Sequence, residues 1–167
     1  MTSGKTGVIF LSKWYNRAYD DLKEKPMNIY KHKVHYYETD KMGIVHHSNY
    51  IRWMEEARID FLDQIGWSYA KLEEEGIISP VTAVECKYKA NSLFGDEITI
   101  VVQVEEFKGV KLKMKYLMKN EQDVVVCEGH SEHCFVNPQG MILRLKKEHP
   151  AFFEVLTSYA ELAAKGD

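Results

Sequence analysis

In the segment Tyr36-Tyr37-Glu38-Thr39-Asp40-Lys41-Met42-Gly43-Ile44-Val45-His46-His47-Ser48-Asn49-Tyr50 an acid stands just ahead of residues able to start a helix. Asp40 precedes a stretch, residues 41–47, that contains Gly43 and has no helical period. Ser48 or Asn49 is a good N-terminal cap for a helix beginning at that point. The first amides of a helix lack intrahelical acceptors and sit at the positive end of its dipole, so they can hold a carbonyl oxygen that is turning negative. A carboxylate beside such amides is a minimal apparatus for acyl transfer. Asp40 also has a plainer reading as a turn former, since aspartate before a glycine-containing loop is common.

Other polar side chains offer less. His130 and His133, with Cys127 and Cys134 nearby, have the residue types of a metal site, but side chains three apart on a strand point to opposite faces. His32 and His35 meet the same objection, so no metal ligands are expected. Lys87, Lys89 and Arg144 are candidate contacts for a phosphate-bearing ligand on charge alone. Glu55 and Glu56 read as helix-surface partners of Arg58 and Arg52.

The elements that must position Asp40 are read from hydrophobic period. Residues 29–37 are rich in β-branched and aromatic side chains and predict a first strand. A helix is expected from Ser48 or Asn49 to about Ile65, with Tyr50, Met54, Ala57, Phe61 and Ile65 on its buried side and Gly66 as its stop. Residues 68–75 predict a second short helix closed by Gly76. The period then changes to two. Residues 80–89, 97–107, 110–119 and 123–136 are strand candidates, and in the third Val110, Leu112, Met114, Tyr116 and Met118 alternate with lysines 111, 113, 115 and 119 on a face expected to meet solvent. Short links at 108–109 and 120–122 predict antiparallel hairpins. One strand, a long helix and four further strands imply an α+β hot-dog fold, a five-stranded antiparallel sheet wrapped around a central helix. Residues 27–145 form that domain, residues 1–26 read as an added or accessory helical extension, and residues 146–167 as a C-terminal helical segment interrupted near Pro150.

Composition bounds the partners. A chain of 167 residues suits one domain. Twenty-two basic against twenty-five acidic side chains leave a formal charge of −3, without the positive field that nucleic-acid binding needs. Three cysteines without a C-x-x-C pair point to a reducing compartment. No stretch approaches the roughly 20 apolar residues of a membrane span, and the run 8–11 is too short for a signal peptide. The expectation is a soluble, cytoplasmic protein with no nucleic-acid partner.

The pattern Asp40-x-x-Gly43-x-Val45-x-x-x-x-Tyr50 resembles the active-site signature of the 4-hydroxybenzoyl-CoA thioesterase family of hot-dog proteins, especially its bacterial branch of acyl-CoA thioesterases. The helix Arg52-Trp53-Met54-Glu55-Glu56-Ala57-Arg58 and the Gly95-Asp96 pair ahead of a strand extend the resemblance over about residues 30–136. It implies hydrolysis of an acyl-CoA substrate to free acid and CoA without a cofactor, with Asp40 as nucleophile or general base. Tyr36 and His47 match positions that the bacterial branch associates with catalysis. The His47 amide would polarise the thioester carbonyl, its imidazole would orient water or substrate, and Gly43, Val45 and Tyr50 would shape the substrate site. The resemblance further implies a homodimer or homotetramer with the site between subunits. Ala90-Asn91 stands where family members often carry proline, so the nearby loop departs from the pattern. Two alternatives share these features: a hot-dog hydratase or dehydratase acting on acyl thioesters, and a non-catalytic module binding acyl-CoA or an acyl-carrier protein. The position of Asp40 ahead of the helix favours hydrolysis over the first, and an assay separates the second.

Overall fold

The computed structural model describes residues 29–166, and the expected extension over residues 1–26 lies outside them. Five strands, β1 (Ile29–Lys33), β2 (Val81–Tyr88), β3 (Glu97–Phe107), β4 (Lys111–Lys119) and β5 (Val125–Cys134), form one sheet in the order β1-β3-β4-β5-β2. Every neighbouring pair is antiparallel. Helix α1 (Ser48–Gln64) follows β1, α2 (Tyr69–Glu74) comes after it, and α3 (Leu145–Glu148) and α4 (Pro150–Gly166), the last as long as α1 at 17 residues, end the chain.

The hairpins are local in origin. Gly109 adopts φ 79°, a backbone conformation that costs glycine little, and Lys108 N–H donates to Lys111 O to close β3 onto β4. Between β4 and β5 the Asn120 side-chain oxygen accepts the amides of Gln122 and Val124 at 3.1 and 3.0 Å.

The buried side of α1 is wider than expected: Trp53, Arg58 and Leu62 join Tyr50, Met54, Ala57 and Phe61. The apolar members pack in one cluster with Ile98, Ile100, Met114 and Met118 of the sheet. Gly129 on β5 explains how closely the helix lies, because a Cβ there would stand 2.7 Å from Met54 Sδ. Phe152 and Leu156 of α4 enter the same cluster with Phe135 and Leu145, so the C-terminal segment shares the core.

Three expectations need correction. First, β1 ends at Lys33 rather than Tyr37, because β3, its ladder partner, begins at Glu97, which pairs with Lys33. Second, the lysine face meets solvent at Lys111 and Lys113, which pair there with Glu132 at 3.4 and 3.3 Å, but Lys119 does not, being buried beside Asp123 at 2.8 Å. Third, Glu56 takes its hydrogen bond from Tyr30 at 2.9 Å instead of pairing with Arg52, while the guanidinium of Arg58 is buried over the Tyr69 ring.

Beneath α1 the sheet also carries three linked polar groups. His133 Nε2 lies 2.7 Å from Ser131 Oγ, which lies 2.9 Å from the Tyr116 hydroxyl, and His133 Nδ1 has no hydrogen-bond partner among the described residues. Burial, and secondarily the Arg58 charge, push the His133 imidazole down to about 4. An unfolded histidine titrates near 6.5, so the unfolded chain binds the extra proton first. The contribution of a neutral His133 is therefore complete above about pH 6.5 and is lost as pH falls toward about 4. In urea unfolding at pH 7 and pH 4, the wild type is expected to lose on the order of 3 kcal/mol that His133→Gln does not lose.

Candidate active site

After β1 the chain turns through a single 3₁₀ turn, Tyr36–Glu38, which swings the Glu38 side chain inward. The buried Glu38 carboxylate accepts the His35 amide at 2.7 Å and the Trp53 indole N–H at 2.7 Å, and it faces His32 Nε2 at 3.0 Å. Burial alone would raise the Glu38 carboxyl, but the bonds from His32, the His35 amide and Trp53 outweigh it and hold the group below the usual glutamate range. The backbone oxygen of the same residue accepts His46 N–H at 2.8 Å and the Asn49 side-chain amide at 2.8 Å. Glu38 thus ties the end of β1, the adjoining loop and the start of α1 to one point.

From Glu38 the loop doubles back. Thr39 and Val45 form an antiparallel bridge, Asp40 N–H donates to Ile44 O and Gly43 N–H to Asp40 O, each at 2.9 Å. Gly43 turns the chain at φ 75°, a conformation strained for any side chain with a Cβ. Val45 N–H donates to Ser92 O, Ile44 bridges Leu93, and the Tyr50 hydroxyl donates to Ser92 Oγ at 3.1 Å, so the loop also leans on the β2–β3 connection. There the Gly95-Asp96 pair has a clear task. The Asp96 carboxylate accepts Leu93 N–H at 2.8 Å and its backbone oxygen accepts Val34 N–H at 2.9 Å, locking the turn against the end of β1.

Asp40 is half-buried, and one carboxylate oxygen accepts Met42 N–H at 2.7 Å. The turn-forming role is therefore real, and it leaves the second oxygen without a hydrogen bond among the described residues. Three residues after Gly43 the chain reaches His46 and His47, whose rings lie 4.1 Å apart between centroids at a tilt of 36°, and α1 begins. At the helix entrance Asn49 N–H bonds His46 O at 3.0 Å and Ser48 N–H reaches His46 Nδ1 at 3.4 Å, while the His47 amide has no acceptor among the described residues. Tyr88, at the end of β2, donates its hydroxyl to His47 O at 3.0 Å and so fixes this entrance from the sheet side. A carboxylate with one free oxygen, and a free amide at the positive end of a 17-residue helix, belong to the same folded-back loop.

Of the residues singled out by sequence, Asp40, Gly43, Val45, His47 and Tyr50 share this unit. Tyr36 is 77% exposed on the 3₁₀ turn, edge-on to Phe94, and does not lie on an alternating strand. Lys87 and Lys89 flank Tyr88 and pair with Glu85 and Glu128 at 3.2 and 3.5 Å. Arg144 lines a hollow of about 350 Å³ with Phe107, Lys108 and Phe153. That hollow is at the far end of β3 from the Asp40 loop, roughly 30 Å away along an 11-residue strand. His130 and His133 point to opposite faces as expected, His130 outward to Glu105 at 3.0 Å. The same objection fails for His32 and His35, because the strand has ended between them. Sequence reasoning missed the buried group of His32, Glu38 and Trp53, and the neighbouring Cys86 and Cys127 thiols, whose mutual interaction pulls Cys86 down and pushes Cys127 up. A glutamate three residues after a histidine and ahead of a helix tryptophan was the available signal for the first.

Residues 34–155 match the family model of the Thioesterase-like superfamily. A candidate esterase of Aquifex aeolicus is 36% identical over 120 residues, which are 72% of this chain and 92% of that protein. A candidate acyl-CoA thioesterase of Bacillus subtilis is 32% identical over 107 residues, 64% of this chain and 78% of its own. Among solved structures, the DHNA-CoA thioesterase of Staphylococcus aureus has a TM-score of 0.80 and 31% identity over 84% of this chain and 95% of that one.

The Trp53 indole holds Glu38 with the one N–H that phenylalanine lacks. Trp53→Phe is expected to lower stability by about 1–3 kcal/mol, the cost of a buried acceptor left short of a donor, as read by urea unfolding.

Proposed function

The chain belongs to the Thioesterase-like superfamily, and from that premise we propose that it hydrolyses an acyl-CoA thioester to the free acid and CoA without a cofactor, in the 4-hydroxybenzoyl-CoA branch of these proteins. The observation that carries the reading is the doubled-back loop: the Thr39–Val45 bridge returns the chain beside Asp40 two residues before His47, whose amide is free at the entrance of α1. The thioester carbonyl oxygen accepts from that amide, where the helix dipole favours the growing negative charge. Asp40 uses its free oxygen either to attack the carbonyl carbon, expelling the CoA thiolate and leaving an anhydride that water opens, or to take a proton from water that attacks in its place. The His47 imidazole orients water or substrate, and the exposed Tyr36 ring is available to a ligand from outside. Gly43, Val45 and Tyr50 keep the loop in shape from beneath. Lys87 and Lys89 flank Tyr88 and serve as phosphate contacts for CoA.

The working form is a homo-oligomer built on β2. Every residue of β2 except Cys86 is exposed, and Val81, Val84 and Tyr88 lie along an edge whose backbone groups await a partner strand. A second copy pairing edge to edge continues the sheet and brings its own surface against Tyr88 and the helix entrance. No helix among the described residues is long and apolar enough to cross a membrane, and three free cysteines suit a reducing cytoplasm.

A panel of short-chain, long-chain and aromatic acyl-CoAs, monitored by thiol release, tests the chemistry. Turnover of at least one member is expected, and Asp40→Asn should lower it by about 100-fold or more. Near-normal turnover by the variant removes Asp40 from the mechanism; hydration of an enoyl-CoA without thiol release, or binding without turnover, replaces hydrolysis by one of the other two functions. For the assembly, Val84→Lys is expected to shift sedimentation toward monomer and to reduce thiol release with it. A monomer that retains full turnover would refute the shared site.

A further inference from the structure

Hydrolysis makes no use of the polar group behind the Asp40 loop. His32, His35 and Glu38 bring two imidazole nitrogens and a carboxylate oxygen within 4.8 Å of one another. His32 Nε2 is 3.0 Å from Glu38 Oε2, and His35 Nδ1 is 3.5 Å from the same oxygen. Around a tetrahedral ion with arms of about 2.0–2.1 Å, neighbouring donor atoms stand about 3.4 Å apart. The two separations to the carboxylate oxygen are thus within about 0.4 Å of what a bound ion would impose, and the two imidazole nitrogens stand within 4.8 Å of each other.

The donors are of the types that can present lone pairs to an ion once the His32–Glu38 proton is displaced. A carboxylate has about four acceptor directions. Glu38 Oε1 accepts the Trp53 indole and Oε2 the His35 amide, each at 2.7 Å, and His32 Nε2 contacts both oxygens at 3.1 and 3.0 Å, so the Oε2 direction facing the imidazoles is held by His32 until an ion replaces its proton. The other nitrogen of His32, Nδ1, is 3.2 Å from Glu56 Oε2, which also accepts the Tyr30 hydroxyl at 2.9 Å. His32 Nε2 bonds Glu38, so a bound ion would take the place of the proton on that nitrogen, while Glu56 beside Nδ1 would hold the remaining N–H, the outer layer that ligating histidines have in metal sites. Access is also provided. His32 and Glu38 are buried, but the His35 side chain is 54% exposed, so an ion can enter from solvent and keep water as a fourth ligand.

We propose that His32, His35 and Glu38 form a binding site for a first-row divalent transition-metal ion. Two imidazoles and one carboxylate with an open position are a donor set suited to zinc. Glu56 and Tyr30 form the supporting layer. The ion fastens the end of β1 to the turn that carries Glu38, and so braces the loop. This site is independent of the hydrolytic reading, since neither its donors nor its test involves a thioester.

Protein stripped with a chelator is titrated with Zn²⁺ against a chromophoric competitor, and with Co²⁺ monitored by visible absorption. One ion per chain is expected to bind at micromolar concentration or below, with Co²⁺ bands of a low-coordinate site and a raised thermal midpoint. His35→Ala removes an exposed ligand while leaving the Glu38–Trp53 bond in place, and should weaken binding at least about tenfold; Glu56→Gln, which only disturbs the support of His32, should weaken it by about tenfold. Absence of saturable binding at micromolar concentrations, or equal affinity in wild type and His35→Ala, would overturn the proposal.

Discussion

A carboxylate taken out of water survives only if its lone pairs are answered, and Glu38 is the place where this fold accepts that constraint. Its donors come from three parts of the chain: His32 on β1, the His35 amide in the turn, and Trp53 on α1. None of the three can move without leaving a buried charge short of a partner. Because the backbone oxygen of Glu38 also holds His46 and Asn49, the position of the helix entrance relative to Asp40 is set by the same anchor. The candidate active site is exposed, but its geometry depends on a buried ionic group directly behind it.

The apolar core supplies the second half of that positioning. Helix α1 settles on the sheet where Gly129 leaves room for Met54, and Tyr50 reaches down to Ser92 on the β2–β3 connection. The loop is therefore held at its start by Glu38, at its middle by Ser92 and at its end by Tyr88 acting on His47 O. Three supports from distinct elements keep a short irregular segment in one shape without regular secondary structure of its own, which is how preorganised catalytic groups are commonly held.

What could be read from the sequence divides along the range of the interactions. The β3–β4–β5 meander was legible because alternation along residues 110–118 and a glycine turn at 109 are local signals. Helix α1 was legible too, within a residue at either end, from its period and Gly66. The end of β1 was not, since it depends on where β3 begins, more than sixty residues later. Lys119 looked like a solvent residue by alternation, yet it is buried beside Asp123. In the site, the order of Asp40, glycine loop and helix start was visible as spacing, whereas the His32–Glu38–Trp53 group was not: each member has an ordinary reading on its own element, and only the fold brings them together. The strand-face rule that separated His32 from His35 was sound physics applied one turn too far.

The environment of Trp53 has an optical consequence. Its indole N–H is bonded to a carboxylate, and its ring lies 4.7 Å from both the His32 imidazole and the Tyr50 phenol, centroid to centroid. Emission from an indole shifts in colour and intensity when a charged acceptor or a quenching imidazole leaves it. The molecule thus carries a fluorophore wired to the back of its own Asp40 loop, and disturbances there become visible as light without any label being attached.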